Sequence, residues 1–251
     1  MSLSVIIITR DESAVIRRCL QSVAWADEII VVDSGSSDDT VAICREFTAH
    51  VHVADWPGFG QQKNRALGHA GGDWVLSIDA DEYLTPALRV EIERTLADAT
   101  ACAAYRLPRR SSYCGRFLRH GGWWPDYVVR LFRRGQAHFS DDPVHERLLV
   151  EGNTGTLKEP LLHEAFHNLE EVLDKIDRYS TASAAMLRAR GHKGSLGRAI
   201  GHGIWAFVRT YVLRAGFLDG REGFMLAVSN AEGTYYRYLK LMLLERRGPQ
   251  Q

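Results

Sequence analysis

Residues 73–79, DWVLSID, form a short apolar run that ends in a carboxylate, and they belong to a pattern that recurs through the N-terminal part of the chain. Three similar runs precede them: LSVIIIT (3–9), EIIVVD (28–33) and HVHVA (50–54). Segments with helical spacing lie between the runs, namely SAVIRRCLQSVAWA (13–26) and DDTVAICREF (38–47). Alternating strands and helices predict a mostly parallel sheet with helices on its faces. The expected fold class is α/β.

The remainder of the chain changes character twice. Segment TPALRVEIERTLAD (85–98) predicts a helix with Thr85 as its N-cap and Pro86 as its first residue. Strand-like pieces from about residue 102 to 163 predict an antiparallel extension that covers the sheet edge. A helical stripe then begins at Leu169 and stops at Gly191. We expect a sheet domain over residues 1–167 and a helical extension over residues 168–251.

Composition narrows the classes of partner and compartment. The chain has 251 residues, no formal net charge and four cysteines without a CxxC pair. A neutral chain has no overall field that attracts nucleic acid, so no nucleic-acid partner is expected. Scattered cysteines are typical of a reducing compartment, and the opening MSLSVIIITRDE lacks the basic region of a signal peptide. These features favour a cytoplasmic protein.

The C-terminal region mixes aromatic with basic residues over residues 195–247. Arg209 and Arg214 interrupt its best apolar stretch, so we do not expect it to cross a membrane. Two interpretations remain open. The region lies on an anionic membrane surface, where Trp, Tyr, Arg and Lys are favoured, or it packs as a helical pair on the main domain.

Polar residues gather where the predicted strands end: Thr9 to Glu12, Asp33 to Ser37, and Asp79 to Glu82. In open α/β sheets this edge binds ligands. Asp79 and Asp81 stand two residues apart, so both point to one side of the strand and form a DxD pair. Two carboxylates can hold Mn²⁺ or Mg²⁺ and leave positions for the phosphates of a nucleoside diphosphate. The alternative for an isolated DxD is a solvated turn.

Asp33 ends the second strand and precedes a tight turn, SGS at 34–36. A carboxylate here can accept hydrogen bonds from a ribose or a base. The alternative role, forming the turn and capping the following helix, fits Asp38 and Asp39 better. The segment has neither a P-loop nor a GxGxxG pattern.

These motifs together resemble those of family 2 glycosyltransferases with the GT-A fold. The resemblance rests on VVDSGSSDDT (31–40), GFGQQKNRAL (58–67), GDWVLSIDADE (72–82), RLFRR (130–134) and VHER (144–147). Three later segments resemble bacterial lipopolysaccharide core glucosyltransferases that modify heptose: HGGWWPDYVVRLFRRG (120–135), DKIDRYST (174–181) and RTYVLRAGFLDGREGF (209–224).

The resemblance implies a set of nucleotide-binding residues. Glu12 would contact the nucleoside, beside Thr9 at the same strand end, although Asp11 stands where the family has Asn. Asp33 would hold the ribose or uracil, and Lys63 and Asn64 would lie near the nucleotide sugar. Asp79 would face the nucleotide, while Asp81 and His163 would bind the metal.

Family 2 enzymes invert the anomeric carbon, so the resemblance implies a carboxylate that deprotonates the acceptor hydroxyl. Glu146 in DDPVHER is the first candidate, and its alternative role is an ion pair with Arg147 or Arg130. Asp126 in WWPDYVV is the second, with Trp123 and Trp124 available to stack on a sugar.

Segment HEAFH (163–167) also fits the HExxH pattern of metallopeptidases, which needs both histidines on one helix face. PLL before it is strand-like, and Asn168 with Glu171 forms the capping box of a helix that begins after the motif. We therefore expect no peptidase site.

The resemblance, together with the acidic residues at the sheet edge, implies an inverting, metal-dependent transferase. The expected donor is a UDP-sugar, UDP-glucose above others, and the expected acceptor is a lipopolysaccharide core heptose or another lipid-linked saccharide at the cytoplasmic face of the inner membrane. Two alternatives stay open: a nucleotidyltransferase with an acidic metal site, and a non-catalytic peripheral membrane module.

Overall fold

The computed structural model describes residues 1–98, 102–141 and 146–246. The chain forms two compact units, and each is discontinuous in sequence. Unit 1 comprises Met1–Arg109 and Asp126–His163, and unit 2 comprises Arg110–Pro125 and Glu164–Gln251. The expected boundary at residues 167/168 is close to the break at His163, but it places residues 110–125 with the sheet rather than with the helices.

The strands in chain order are β1 Leu3–Thr9, β2 Glu28–Asp33, β3 Val51–Val53, β4 Trp74–Asp79, β5 Glu82–Leu84, β6 Ala104–Tyr113, β7 Arg116–Phe117, β8 Asp126–Arg133, β9 Ala137–Phe139, β10 Leu148–Val150, β11 Thr154–Thr156 and β12 Leu161–His163. The helices are α1 Ile16–Val23, α2 Thr40–Arg45, α3 Phe59–His69, α4 Pro86–Ala97, α5 Leu169–Ala189, α6 Leu196–Val208 and α7 Gly220–Arg246. A π-helical turn, Arg209–Leu213, and a 3₁₀ turn, Gly216–Asp219, join α6 to α7.

The four apolar runs form the parallel half of the sheet in unit 1, in the order β3-β2-β1-β4. The register pairs Thr9 with Asp33 and Ile8 with Asp79, so the polar ends of β1, β2 and β4 lie at one edge. The prediction of a parallel sheet with a polar carboxyl edge is confirmed.

Helices cover both faces of this sheet because alternate residues of each strand face opposite ways. In β1, Val5 and Ile7 pack in the cluster that contains α1 and α4, whereas Ile6 and Ile8 pack in the cluster that contains Ala66 of α3. Helix α4 begins as expected, since the Thr85 hydroxyl accepts a hydrogen bond from Leu88 N and Pro86 is the first helical residue. The sheet therefore holds its own polar edge rigidly.

The region from 102 to 163 continues the sheet beyond β4. Strand β8 pairs antiparallel with β4, β6 pairs antiparallel with β8, and β12 pairs antiparallel with β5. The expected antiparallel extension is confirmed, and it covers the β4 edge by direct strand pairing. This arrangement also brings His163, the last residue of β12, opposite Glu82 of β5.

Unit 2 is built from helices and one hairpin. Helix α7 packs against both α5 and α6, and β7 pairs with the end of β6 through Ser112 and Tyr113. Tyr113 and Leu118 are buried with Val172 of α5 and Leu226 of α7, and Tyr113 Oη lies 2.7 Å from Ser229 Oγ. The hairpin is therefore part of the core of this unit.

Of the helices within the described ranges, none combines the length and the apolar character that crossing a bilayer requires.

Candidate active site

A cavity of about 400 Å³ opens in unit 1 at the carboxyl ends of β1 and β4. Five of the residues singled out from the sequence line it: Thr9, Glu12, Asp79, Asp81 and His163. Five others complete the lining: Ile8, Arg10, Trp56, Phe59 and Ala80. The aromatic residues Trp56 and Phe59, which sequence reasoning did not select, form an edge-to-face pair on one side.

Asp79 lies between two cations. Lys63 Nζ is 3.0 Å from Asp79 Oδ1, and Arg130 donates a short hydrogen bond to Oδ2. Burial by itself raises the pKa of the Asp79 carboxyl, but Arg130 and then Lys63 outweigh it and hold the pKa far below its usual range. Asp79 is thus an anion at any working pH.

Arg130 is the centre of a larger charge network. Its guanidinium also donates to Glu82 Oε1 at 2.6 Å, and the wholly buried Glu82 accepts the backbone N–H of Asp79 at 3.0 Å. Arg109 joins the network at 3.4 Å from Glu82 Oε1 and 2.6 Å from Asp126 Oδ2. Burial lowers the pKa of the Arg130 guanidinium, but Asp79 and Glu82 raise it well above its usual value. The network fixes the end of β4.

Glu82 holds this network together, but the sequence does not single it out. It appears there only as the last member of the polar cluster after β4. Its position inside DADE gives no sign that it turns inward, because β5 begins at Glu82 and reverses the direction of the side chain. A charged residue that opens a fully buried strand, EYL, was the available signal.

Asp81 and His163 meet on one side of the cavity. His163 Nε2 lies 3.1 Å from Asp81 Oδ2, and both side chains are mostly buried. The contact follows from the pairing of β12 with β5, since His163 stands opposite Glu82, the residue after Asp81. The two residues expected to share a metal are therefore neighbours.

Glu12 carries the clearest electrostatic signature in the cavity. Burial, together with the carboxylates of Asp81, Asp38 and Asp79, raises the pKa of the Glu12 carboxyl to about 7. The backbone holds it in place, because Glu12 N donates to Thr40 Oγ1 at 2.8 Å and its carbonyl accepts from Ile16 N at the start of α1. Three carboxylates, Glu12, Asp79 and Asp81, thus surround one space.

This donor set fits a hard divalent cation. Asp81 and His163 would supply one oxygen and one nitrogen ligand, and the excess negative charge around Glu12 favours a cation in the cavity. Within residues 1–98, 102–141 and 146–246, no set of three or more His, Cys, Asp or Glu side chains converges as a complete metal site. An ion bound by Asp81 and His163 would take its remaining ligands from phosphate oxygens and water, which is typical of Mg²⁺ with nucleotides.

Asp33 does not face the cavity. It is fully buried, its Oδ1 accepts the backbone N–H groups of Gly35 and Ser36 at 2.9 Å each, and its Oδ2 accepts the Ser36 hydroxyl. It therefore forms the turn, the role that the sequence had favoured for Asp38 and Asp39. Asp39 precedes α2 without a side-chain cap, so that expectation is wrong for Asp39.

Asp38 and Asp11 instead join the loops after β1 and β2. Asp38 accepts hydrogen bonds from Ser13 N and Thr40 N, and Asp11 Oδ1 accepts from Ser37 N at 2.7 Å. Asp11 has a φ of 54°, a conformation that Asp and Asn tolerate better than other side chains. Thr9 lies beside this junction, and its hydroxyl is buried with no hydrogen-bond partner in the part of the chain that the structure describes, so it can bind a ligand group in the cavity.

Lys63 and Asn64 are adjacent in helix α3 but contact different partners. Lys63 bridges Asp79 and Glu146, whose Oε1 lies 3.1 Å from Nζ. Asn64 instead donates to Phe139 O and accepts from Phe139 N, as a neighbouring strand would. The Asn64 side chain therefore holds β9 against α3 and is not among the residues that line the cavity, and its placement near the nucleotide sugar stays a prediction.

The two candidate bases occupy different surroundings in unit 1. Glu146 pairs with Lys63 rather than with Arg147 or Arg130, and through Lys63 it is connected to Asp79. Asp126, at the start of β8, is more exposed and receives two hydrogen bonds from Arg109 on Oδ2 alone. Residues 142–145 of the DDPVHER segment lie outside the described part of the chain.

The HEAFH segment is not helical. β12 ends at His163, and α5 begins at Leu169 with Asn168 as its N-cap, whose side chain accepts from Glu171 N. Glu171 accepts the backbone N–H of His167 rather than that of Asn168, so the expected capping box is shifted by one residue. The two histidines do not share a helix face, and the peptidase interpretation is excluded.

Unit 1 is an open α/β sheet with a cavity at its carboxyl edge, and the comparisons identify the family. The model of "Glycosyl transferase family 2" matches residues 4–151, and the chain belongs to this family. It is a glycosyltransferase with the GT-A fold. The nucleotidyltransferase and non-catalytic alternatives are thereby set aside.

Two relatives match nearly the full length of the chain. It is 30% identical to the lipopolysaccharide core biosynthesis glycosyltransferase LpsC of Rhizobium meliloti, with 98% of this chain and 93% of that protein covered. It is 32% identical to the uncharacterized glycosyltransferase RP128 of Rickettsia prowazekii, covering 95% of this chain and 86% of the relative. Among solved structures, S. aureus TarS 1-349 in complex with UDP-GlcNAc matches 99% of this chain and 92% of its own, at 15% identity and a TM-score of 0.50.

Proposed function

We propose that this chain is an inverting, metal-dependent glycosyltransferase that moves glucose from UDP-glucose to a heptose of the lipopolysaccharide core, or to a similar lipid-linked saccharide. The observation that carries the proposal is the pairing of Asp81 with His163 beside Asp79 and Glu12 in one cavity at the carboxyl edge of the sheet. The name of the LpsC relative supports the class of acceptor.

Asp81 and His163 would hold Mn²⁺ or Mg²⁺ together with the donor diphosphate. Such an ion supplies Lewis-acid stabilisation of the leaving UDP. Lys63 and Arg130 keep Asp79 ionised and fixed at the end of β4, so that it orients the donor without moving. Trp56 and Phe59 line the same cavity and offer apolar surface to a nucleoside. Thr9, with an unpartnered hydroxyl, adds a polar contact.

Glu146 is the proposed base. The acceptor oxygen attacks the anomeric carbon, the bond from that carbon to the phosphate oxygen breaks, and the electron pair leaves with UDP. The hydroxyl proton goes to Glu146, and Oε2 is the oxygen for it because Lys63 binds Oε1. Asp126 is the second candidate, and its bond to Arg109 again leaves one carboxylate oxygen, Oδ1, for a proton.

A lipid-linked acceptor lies at a membrane, so the enzyme must contact the membrane surface to reach it. Unit 2 exposes large apolar side chains on α6 and the turns that follow it, at Leu196, Ile200, Ile204, Trp205, Val212, Leu213, Phe217 and Leu218. Arg198, Arg209 and Arg214 are exposed on the same segment. Apolar and aromatic groups beside arginines suit the interface of an anionic bilayer, so we place unit 2 on the cytoplasmic face of the inner membrane.

The deciding experiment is calorimetric titration of UDP, UDP-glucose and UDP-GlcNAc into the purified protein, with and without Mn²⁺. We expect metal-dependent binding that Asp81→Asn weakens about 100-fold, since a charged ligand of the ion is lost. Asp39→Asn is the matched control, because Asp39 is exposed and makes no side-chain cap. Binding that is unaffected by Mn²⁺ or by Asp81→Asn would refute the metal-dependent donor site.

A further inference from the structure

Unit 2 contains a second cavity, of about 260 Å³, that the donor chemistry does not use. It lies between α5, α7 and the hairpin of residues 110–125, and every residue that lines it belongs to unit 2. We call it the aromatic cavity. Its lining is Tyr113, Trp123, Phe166, Val172, Lys175, Ile176, Tyr179, Ser180, Ser183, Leu226, Ser229, Asn230, Gly233, Thr234 and Arg237.

Three aromatic rings form one wall of this cavity. The rings of Trp123 and Phe166 are 6.1 Å apart, with their planes inclined by only 31°. Tyr113 meets both rings edge-on, at 5.8 Å from Trp123 and 6.1 Å from Phe166, and so fixes their orientation. Trp123 and Phe166 are only half-buried, which leaves apolar ring surface that a ligand can cover.

The charged residues of the lining are both cations. Lys175 Nζ lies 4.7 Å from the centroid of the Phe166 ring. Arg237 stacks over Tyr238, and its Nε is buried with no hydrogen-bond partner among the described residues. A buried N–H group normally has a partner in a native structure, so this donor is available to a bound group that accepts from it.

Of the carboxylates around the cavity, Glu232 adds negative charge near the Tyr113 hydroxyl, and Asp177 is compensated. Asp177, one turn of α5 before Ser180, is paired with Lys240 at 2.7 Å, and the same ammonium donates to Ser180 Oγ. The lining itself contains two cations, Lys175 and Arg237, and no carboxylate, so its formal charge is positive. The bound group that this charge favours is an anion.

The rest of the lining combines apolar side chains, such as Val172 and Leu226, with polar ones. Ser183, Asn230 and Thr234 add hydroxyl and amide groups of the kind that bind sugar hydroxyls. Gly233 stands inside the long helix α7, where glycine weakens a helix, and a Cβ there would meet only Ile176 at 3.9 Å.

We propose that the aromatic cavity binds an anionic saccharide, with the sugar ring against Trp123 and Phe166 and its phosphate or carboxylate on Arg237 and Lys175. This deepens the proposed function, on which it rests for the ligand's role: the saccharide is part of the lipid-linked acceptor. Stacking on aromatic rings selects a sugar ring, and the two cations select its charged form.

The test is a titration of the full chain by saturation-transfer difference NMR with glucose 6-phosphate, glucuronate, glucose and inorganic phosphate. We expect the charged sugars to bind, and glucose and inorganic phosphate each to bind at least about tenfold more weakly. Tighter binding of glucose 6-phosphate than of glucuronate would assign a phosphate, and the reverse a carboxylate; both support the proposal. Equal binding of inorganic phosphate and glucose 6-phosphate would overturn it.

Variants locate the binding. Arg237→Gln and Lys175→Gln should each weaken glucose 6-phosphate binding about tenfold, whereas Arg178→Gln, an exposed position on the same helix as Lys175, should not change it. Trp123→Leu should abolish binding and Trp123→Phe should retain it. Melting temperatures near that of wild type exclude unfolding as the cause. Unchanged binding in Arg237→Gln and Trp123→Leu would contradict the proposal.

Failure here and failure of the donor site give different results. Saturating UDP with Mn²⁺ should not displace glucose 6-phosphate, and Asp81→Asn should lose UDP binding while it keeps saccharide binding. Displacement by UDP would move the saccharide to the donor cavity and refute the aromatic cavity as its site. Loss of UDP binding in wild type alone would refute the proposed donor and leave the saccharide site standing.

Discussion

Lys63 connects the parts of the proposed mechanism at the residue scale. Its ammonium lies within 3.1 Å of both Asp79 and Glu146, so one buried cation holds the nucleotide-facing carboxylate and the proposed base together. The network continues from Asp79 through Arg130 and Glu82 to Arg109. The sequence places Asp79 and Glu82 at the carboxyl edge of the sheet. Which cation pairs with which carboxylate becomes visible only in the folded chain.

Glu146→Gln should reveal the base. The amide keeps an oxygen for Lys63 but cannot accept the acceptor proton, so we expect kcat to fall about 10²- to 10⁴-fold with UDP-glucose affinity unchanged. The measurement is steady-state transfer to a heptose-containing core acceptor, with Glu151→Gln, an exposed neighbour, as control. If Asp126→Asn shows the larger fall instead, the base is Asp126.

Glu12 should make stability depend on pH in the metal-free protein. Its folded pKa, about 7, lies above the unfolded value near 4.5, so the folded state binds the proton more tightly. Stability is then greatest below the unfolded pKa and declines as pH rises towards 7. Because the side chain is partly exposed, we expect Glu12→Gln to gain only about 1 kcal/mol at pH values above 7.

Denaturant unfolding in EDTA at a series of pH values checks this. The difference between Glu12→Gln and wild type should grow from near zero at about pH 4 to its full value above about pH 7. A constant difference across the range would show that Glu12 keeps an ordinary carboxyl pKa.

At the scale of the element, helix α3 determines where Glu146 lies. A Cβ on Gly60 would stand 2.0 Å from Ser140 O and 3.6 Å from Glu146 Cβ, so only glycine lets the helix approach that strand end. Gly60→Ala should force the segment after β9 away from α3. We expect a loss of about 2 kcal/mol in unfolding free energy and a clear fall in kcat.

Gly68→Ala is the matched control on the same helix. Nothing lies within 4 Å of its Cβ position, so alanine should stabilise the protein by about 0.5–1 kcal/mol with activity unchanged. Thermal unfolding and transfer assays on both variants test the pair. Equal stability of the two would show that the Ser140 contact does not constrain α3.

Helix α3 also shows where sequence reasoning stops. Strands β1 to β4 and helices α1, α2 and α4 follow from apolar runs and caps that are visible in the sequence. Helix α3 was not predicted, because it buries Gly60, Gln62 and Lys63 instead of an apolar stripe. In the same way, the sequence suggests that Asp33 and Asn64 bind a ligand, but it does not show that both side chains bind backbone groups in the folded chain.

For the whole molecule, the expected behaviour is reversible binding to anionic membranes. Ile204→Ser with Trp205→Ser removes two side chains that are 61% and 54% exposed on α6. We expect co-sedimentation with phosphatidylglycerol vesicles to fall about tenfold or more, and wild-type binding to weaken with salt, since both apolar and electrostatic contacts contribute.

Val53→Ser, at an equally exposed apolar position on β3 in unit 1, should leave vesicle binding unchanged. Wild-type protein that stays in the supernatant at low salt would refute membrane contact. Equal loss with Val53→Ser would show that the binding is non-specific.

The discontinuous make-up of unit 2 has a consequence for how the protein is synthesised. The ribosome releases the hairpin of residues 110–125 well before residues 164–251, yet Tyr113 and Leu118 pack in one buried cluster with Val172 and Leu226 of that later segment. The hairpin therefore cannot be fully buried until α7 has left the ribosome. Until then the apolar side chains of the hairpin contact solvent or a chaperone. Unit 1 has all its strands once His163 is out, so the donor cavity can form on the nascent chain first.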